Sequence, residues 1–312
     1  MARKPRVYYP GAVYHAILRG NGGQTIFFDD RDRTRFCFLL QEGVERFGHR
    51  IHAYCLMNNH VHLAIQVGNV SLSRILQNLS FRFTQWVNWR QNKRGHLFQG
   101  RYKAVLVDAD IYLKELTRYI HLNPIRAGIL KDPEVYHWSS HRAYLGLEVI
   151  PWLTTDWVLS QFSGRLGAAR RAYEKFVWEE KETGHQEQYH RGSSADSRIL
   201  GAESFIDRVL HKNEAPPKPK VKLEQVIREV CKHYSVKEGD LGSGGKDRRL
   251  SEARGMAAWL IMELGVCPLR ELGKVTYRDI TTLSSAMKRL QMRASTDLRL
   301  AKAMRALFET IS

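Results

Sequence analysis

Residues 52 to 67 read HAYCLMNNHVHLAIQV, two apolar-rich runs around an Asn-Asn pair. The composition predicts strands over residues 52 to 57 and 60 to 67 with a tight connection between them. Side chains alternate along a strand, so His60 and His62 share one face while Val61 and Leu63 enter the other. Two imidazoles on one face suit a shared cation, and they equally suit the wet face of a half-buried strand.

The surroundings extend this hairpin into a sheet. Residues 13 to 18 (VYHAIL) have strand composition, and residues 29 to 47 have helical spacing with acidic residues in the first turn. From Ser71 to Gly95 the apolar residues fall at 72, 75, 76, 79, 83, 86 and 87, a long amphipathic helix with a serine at its start. A basic strand over residues 101 to 107 follows, then a helix from about 110 to 122 that ends at Asn123-Pro124. Strand, helix, strand, strand, helix, strand and helix is the split β-α-β order. It predicts an α+β fold, a ferredoxin-like antiparallel sheet with helices on one face.

In that last helix, LTRYIHLNPIRAG, Tyr119 and Asn123 are four apart and share a helical face. Asn123 can offer a carbonyl oxygen as a third metal ligand, and Tyr119 a phenol as nucleophile. A tyrosine of ordinary pKa near 10 attacks poorly at neutral pH, so it needs a cation to polarise its target. A half-buried core aromatic is the alternative for Tyr119. Tyr112, seven residues earlier, is the nearest rival nucleophile and lacks an asparagine four residues on.

The charge names the class of partner. The 312 residues carry 49 Lys+Arg against 32 Asp+Glu, a formal charge of +17, so a polyanion is the default partner. Residues 1 to 150 have a net charge of +10, 151 to 215 of −1, and 216 to 312 of +8. Two basic blocks therefore flank a neutral middle. Stretches 184 to 197 (GHQEQYHRGSSADS) and 213 to 222 (NEAPPKPKVK) have linker composition, the second giving the better boundary. The domains expected are thus 1–150, a mostly helical connector 151–215, and 216–312. Arginines interleaved with Phe, Trp and Tyr in the first block suit a single strand. Arg82, Arg90, Lys93, Arg94, Arg101 and Lys103 are the candidate phosphate contacts.

Four scattered cysteines without a C-x-x-C pair indicate neither a disulfide framework nor a thiolate zinc site. The N-terminus has no apolar h-region, and no run reaches the roughly 18 apolar residues of a membrane span. A cytoplasmic protein is expected.

The first block resembles the HUH single-strand DNA transposases with one catalytic tyrosine, in their REP-associated branch. The resemblance lies in YHAILRGN, YCLMNNHVHLAI, GHLFQGRYKAVLV, YIHLNPIRAGIL and DPEVYHWSSHRAY, in that order. It implies that Tyr119 attacks a backbone phosphate of single-stranded or hairpin DNA to form a 5′-phosphotyrosine. It further implies that His60, His62 and Asn123 hold a metal, magnesium with manganese as the alternative. A monomer and a homodimer both fit.

The second block predicts a helix over LEQVIREVCKHYSV, another over RLSEARGMAAWLIMELG, then a short helix, a turn and a longer helix, the order of a helix-turn-helix. A plain helical bundle is the alternative. This block resembles the duplex-DNA-binding domain of the bacterial chromosomal replication initiator. Where that family has R-D-H-T-T, this chain has Arg278, Asp279, Ile280, Thr281 and Thr282. The resemblance implies that Arg254, Arg278, Thr281, Thr282 and Lys288 touch DNA. Isoleucine cannot make the base-specific hydrogen bond of the family's histidine, so the same target sequence is not implied. A DNA transposase with a duplex-binding tail is the leading reading. The alternatives are a domesticated repeat-binding regulator and a relaxase- or replication-type nicking enzyme, the latter disfavoured by the lack of a P-loop.

Overall fold

The hairpin forms as expected. β2 (Arg50–Leu56) and β3 (His60–Gln66) pair antiparallel, and Met57 N donates to His60 O at 2.9 Å across Asn58 and Asn59. In this computed structural model, which describes residues 7–180, 184, 186–211, 221–244 and 247–311, the chain divides into two compact units, Met1–Pro217 and Lys218–Ser312.

In the first unit, β1 (Val13–Arg19) pairs antiparallel with β3 and with β4 (Lys103–Val107), and with β5 (Ile199–Leu200) the sheet order is β2-β3-β1-β4-β5. The α+β class and the antiparallel core are as the sequence predicts. Two details differ. β5 joins β4 in parallel, so the sheet is mixed. Helices also cover both faces instead of one. α1 (Asp30–Phe47) and α2 (Leu72–Arg90) pack through Phe36, Leu39, Ile75, Leu76 and Phe83 onto Ala16, Leu18, Val61, Leu63 and Ile65. α3 (Ala109–His121) packs through Leu113, Leu116 and Ile120 onto the opposite side, against Ala53, Cys55, Ala64 and Val105. Strand parity explains this: the odd-numbered side chains of β3 fill the first core, and Ala64 on the other face is small enough to admit a helix.

The chain beyond α3 thickens that second core. It runs through α4 (Asn123–Arg126), α5 (His141–Leu145), α6 (Asp156–Ser160), α7 (Leu166–Glu179) and α8 (Gln188–Arg191), while α9 (Glu203–His211) packs through Phe205, Ile206 and Val209 into the first core. Stretch 184 to 197, of linker composition, is a correction. Its described part contains α8, whose Tyr189 is 1% exposed and lies in the core beside Tyr119 and Leu113. One aromatic anchor outweighs a polar neighbourhood. The proline- and lysine-rich stretch 213 to 222 lies largely outside the described residues.

The second unit is helical, with α10 (Leu223–Tyr234), α11 (Arg248–Leu264), α12 (Leu269–Thr276), α13 (Ile280–Ala294) and α14 (Leu298–Ile311). α11 is its central element, and a Cβ at Gly255 would stand 2.9 Å from Ala286 O, so this glycine lets α11 and α13 meet closely. The turn Tyr277–Asp279 between α12 and α13 gives the helix-turn-helix order, with Tyr277 in the left-handed region. No helix among the described residues is long and apolar enough to cross a membrane.

Candidate active site and DNA-facing surfaces

His60 and His62 lie on the α3 face of β3, with ring centroids 4.9 Å apart. The hairpin tip is held from the β1 side. Gly20 N donates to Asn59 O at 2.8 Å, and a Cβ on Gly20 would come within 2.1 Å of Gln24 O, so only glycine fits there. Asn59 Nδ2 donates to Gly23 O at 3.1 Å, which turns its Oδ1 toward His60 Nδ1, 2.6 Å away. His62 Nδ1 meets His15 Nε2 at 2.8 Å, and His15 Nδ1 meets the Tyr189 carbonyl at 2.8 Å. Both ligand candidates therefore have one ring nitrogen tied to an orienting group, the arrangement that metal-binding histidines use.

Burial holds these rings neutral. It lowers His15 to about 3 and His60 to about 4, and takes His62 well below 6.5. Neutral imidazole is the form that ligates a cation.

Tyr119 comes to the same place from α3. Its ring is 6.2 Å from that of His62 and 5.9 Å from that of His15, and the residue is 3% exposed. Its Oη lies 2.7 Å from His190 Nε2, a hydrogen bond with α8. Burial raises the phenol pKa, and the Arg126 guanidinium, 4.0 Å over the ring, works against that rise. Arg126 also donates to the Tyr119 carbonyl.

Asn123 has a local duty. Pro124 cannot donate to the Ile120 carbonyl, and Asn123 Nδ2 donates to it instead at 3.2 Å, as well as to Tyr119 O at 3.1 Å. With its nitrogen so engaged, Asn123 has only its carbonyl oxygen to offer a cation. Among the described residues no group of three or more His, Cys, Asp and Glu is arranged to hold a metal. A cation here would rest on His60 and His62 with an amide oxygen, a donor set with two nitrogens and no carboxylate.

The expected phosphate contacts separate into two kinds. Arg82 donates to Glu42 at 2.9 and 3.2 Å, tying α2 to α1. Arg90 pairs with Asp29 and Asp32 at 2.5 Å each. Both guanidiniums thus pair with carboxylates of the helix pair that carries them. Arg94 and Arg101 are exposed, and Lys103 is largely exposed on the same face as His62, its ammonium pKa lowered by partial desolvation and by Arg191. Trp89, beside Arg90 at the end of α2, is 65% exposed.

In the second unit Arg254 likewise has partners within the fold. It is 6% exposed and donates to Leu241 O at 2.8 Å and Ser243 O at 2.7 Å, buttressing the loop before α11. Arg278 donates to Ser243 O at 2.6 Å and Tyr277 O at 3.0 Å. Asp279 caps α13 through Thr282 N at 2.8 Å and takes the Thr282 hydroxyl at 2.6 Å. Ile280, Thr281, Lys288 and Arg289 remain on the exposed face of α13.

Sequence reasoning missed His15, Arg126 and His190. His15 was within reach, because the parity of β1 puts it on the face that β3 gives to His62. Nothing in the polar stretch around His190 signals its position.

The family described as "Transposase IS200 like" matches residues 9–123, and "Bacterial dnaA protein helix-turn-helix" matches residues 223–290. The chain thus carries an IS200-like transposase domain and a DnaA-type helix-turn-helix domain. Chromosomal replication initiator DnaA of Brucella abortus is 28% identical over 128 residues, covering 38% of this chain and 26% of that protein. The initiator of Bartonella quintana is 30% identical over 123 residues, with coverages of 36% and 25%. The chain spans about a quarter of the length of these relatives. A solved REP-associated tyrosine transposase bound to a REP hairpin is similar at 17% identity and a TM-score of 0.41, over 49% of this chain and 92% of that one.

Proposed function

We propose that the protein is a single-tyrosine DNA transposase that cleaves and rejoins single-stranded or hairpin DNA, with a helix-turn-helix that binds adjacent duplex. One observation carries this reading. Within the IS200-like segment, a helical tyrosine and two strand histidines distant in sequence converge, Tyr119 lying 6.2 Å from His62 and His62 lying 4.9 Å from His60.

Tyr119 Oη attacks the phosphorus of a backbone phosphate. The P–O3′ bond breaks, a 5′-phosphotyrosine forms, and the departing oxygen takes a proton from water to become a 3′-hydroxyl. The phenol proton passes to His190 Nε2, its hydrogen-bond partner. A 3′-hydroxyl later attacks the phosphotyrosine, joins the strands and returns the phenol. His60, His62 and the Asn123 oxygen would hold magnesium or manganese, which when bound supplies Lewis-acid polarisation of the phosphate. Arg126, over the Tyr119 ring, stabilises negative charge that grows on the phenol oxygen. Lys103, on the His62 face, Arg94 and Arg101 hold the strand by its phosphates, and Lys288 and Thr281 contact duplex.

The test is incubation with labelled single-stranded hairpin DNA and Mg²⁺, followed by denaturing electrophoresis. A covalent adduct is expected from wild type and not from Tyr119→Phe. Equal adduct from both would reassign the nucleophile, and cleavage that survives chelation would remove the metal role from His60 and His62. Binding with no cleavage would leave a repeat-binding regulator.

A further inference from the structure

We propose that His15 is a positioning residue that dictates which nitrogen of His62 carries its proton, relaying a signal from the backbone carbonyl of Tyr189. A carbonyl oxygen only accepts, so the 2.8 Å contact between Tyr189 O and His15 Nδ1 places a proton on that nitrogen. A neutral ring has one N–H, which leaves His15 Nε2 with a lone pair. Its 2.8 Å contact with His62 Nδ1 must then be donated by His62. The His62 proton therefore sits on Nδ1, and Nε2 keeps the lone pair that a cation requires.

His60 reaches the same state by a different route. Asn59 Oδ1, turned inward because Asn59 Nδ2 donates to Gly23 O, accepts from His60 Nδ1 at 2.6 Å. One candidate ligand is thus set from within the hairpin. The other is set by a carbonyl 174 residues from His15 in the chain. A solvated neutral imidazole holds its proton on either nitrogen, so half of the site depends on α8 being docked. Tyr189, 1% exposed, is the anchor that docks it.

This inference takes His62 as a cation ligand from the proposed function, so its test reads the tautomer without metal and the metal separately. The full chain, labelled with ¹⁵N-histidine and kept in chelator at pH 7.5, is followed by long-range ¹H–¹⁵N correlation. His62 and His15 are each expected to show a protonated Nδ1 and a bare Nε2. In His15→Leu the His62 signals should move to a mixture of both tautomers. In His15→Gln, whose side-chain oxygen can replace the missing acceptor, the Nδ1–H form should return. Mn²⁺ titration followed by electron paramagnetic resonance should give a Kd weakened roughly 10- to 100-fold in His15→Leu and recovered in His15→Gln. A His62 protonated at Nε2 in the wild type overturns the relay even if no variant folds, as does a His62 unchanged in His15→Leu. The expected tautomers with no Mn²⁺ binding by wild type would uphold the relay and overturn the ligand assignment.

Discussion

Tyr119 Oη and His190 Nε2 stand 2.7 Å apart, joining the helix that carries the candidate nucleophile to a short segment far along the chain. Burial raises the phenol pKa, so at neutral pH Tyr119 keeps its proton and must give it up to attack. His190 is the group placed to take it. His190→Leu is therefore expected to slow adduct formation by roughly 10²- to 10⁴-fold while leaving strand binding intact. Single-turnover kinetics beside a binding isotherm checks this. A rate within about threefold of wild type would show that another group, or water, accepts the proton.

The two kinds of arginine on α2 and beyond should fail differently when removed. Arg90 faces Asp32, which is 0% exposed and also accepts from Phe28 N at 2.9 Å and Trp86 Nε1 at 3.1 Å. Arg90→Ala leaves that carboxylate without its cation, and a cost of about 3–5 kcal/mol in folding stability is expected. Arg94→Ala removes an exposed charge, so stability should hold while affinity for single strands falls and its salt dependence flattens. Chemical denaturation and binding at two salt concentrations separate the two outcomes. Equal loss of affinity at equal stability would return Arg90 to the DNA-contacting set.

The hairpin at 52 to 67 and the helix at 71 to 94 were legible in the sequence because alternation and the 3.6-residue repeat are local properties. Tyr119, His60 and His62 could be set on their faces by the same parity. That helices cover both faces was not legible, since β3 is apolar enough on each side to accept them. The role of an arginine is equally hidden. Arg90 and Arg94 look alike until the fold brings Asp29 and Asp32 to one of them. His190 belongs to a segment whose composition says linker, and only the burial of Tyr189 beside it reveals the docking.

Buried neutral histidines should make the first unit sensitive to acid. Burial lowers His49, His60 and His141 to about 4 each and His15 to about 3. In the unfolded chain these groups titrate near 6.5, so between those limits the unfolded state binds more protons and stability falls as pH falls. The loss begins near pH 6.5 and levels off below about pH 4 for His49, His60 and His141 and below about pH 3 for His15, at about 1.4 kcal/mol per pH unit for each. His49 isolates one share, because neither of its ring nitrogens has a hydrogen-bond partner among the described residues. His49→Leu should be tolerated at pH 7.5 and should reduce the slope by one histidine's worth. Urea unfolding followed from pH 7.5 to 4.5 measures it, and identical slopes for the two proteins would mean that His49 is not held neutral.

In the second unit the contrast lies between Arg254 and Lys288. Arg254 is spent on the Leu241 and Ser243 carbonyls, while Lys288 stands exposed on α13 two turns beyond Ile280. Arg254→Leu strands buried acceptors at about 1–3 kcal/mol apiece, so thermal stability of this unit should drop. Lys288→Ala should leave the melting curve unchanged, weaken duplex binding for all sequences alike, and lower the slope of log K against log salt by about one. Ile280 behaves as neither. It is apolar, 53% exposed and at the first turn of α13, where its side chain can pack on a thymine methyl. Serine cannot, so Ile280→Ser should change which duplex is preferred at an unchanged salt slope. Binding selections on randomised duplex, run beside a salt titration, read both quantities. A salt slope that moves with Ile280 and not with Lys288 would mean that α13 meets DNA by another face.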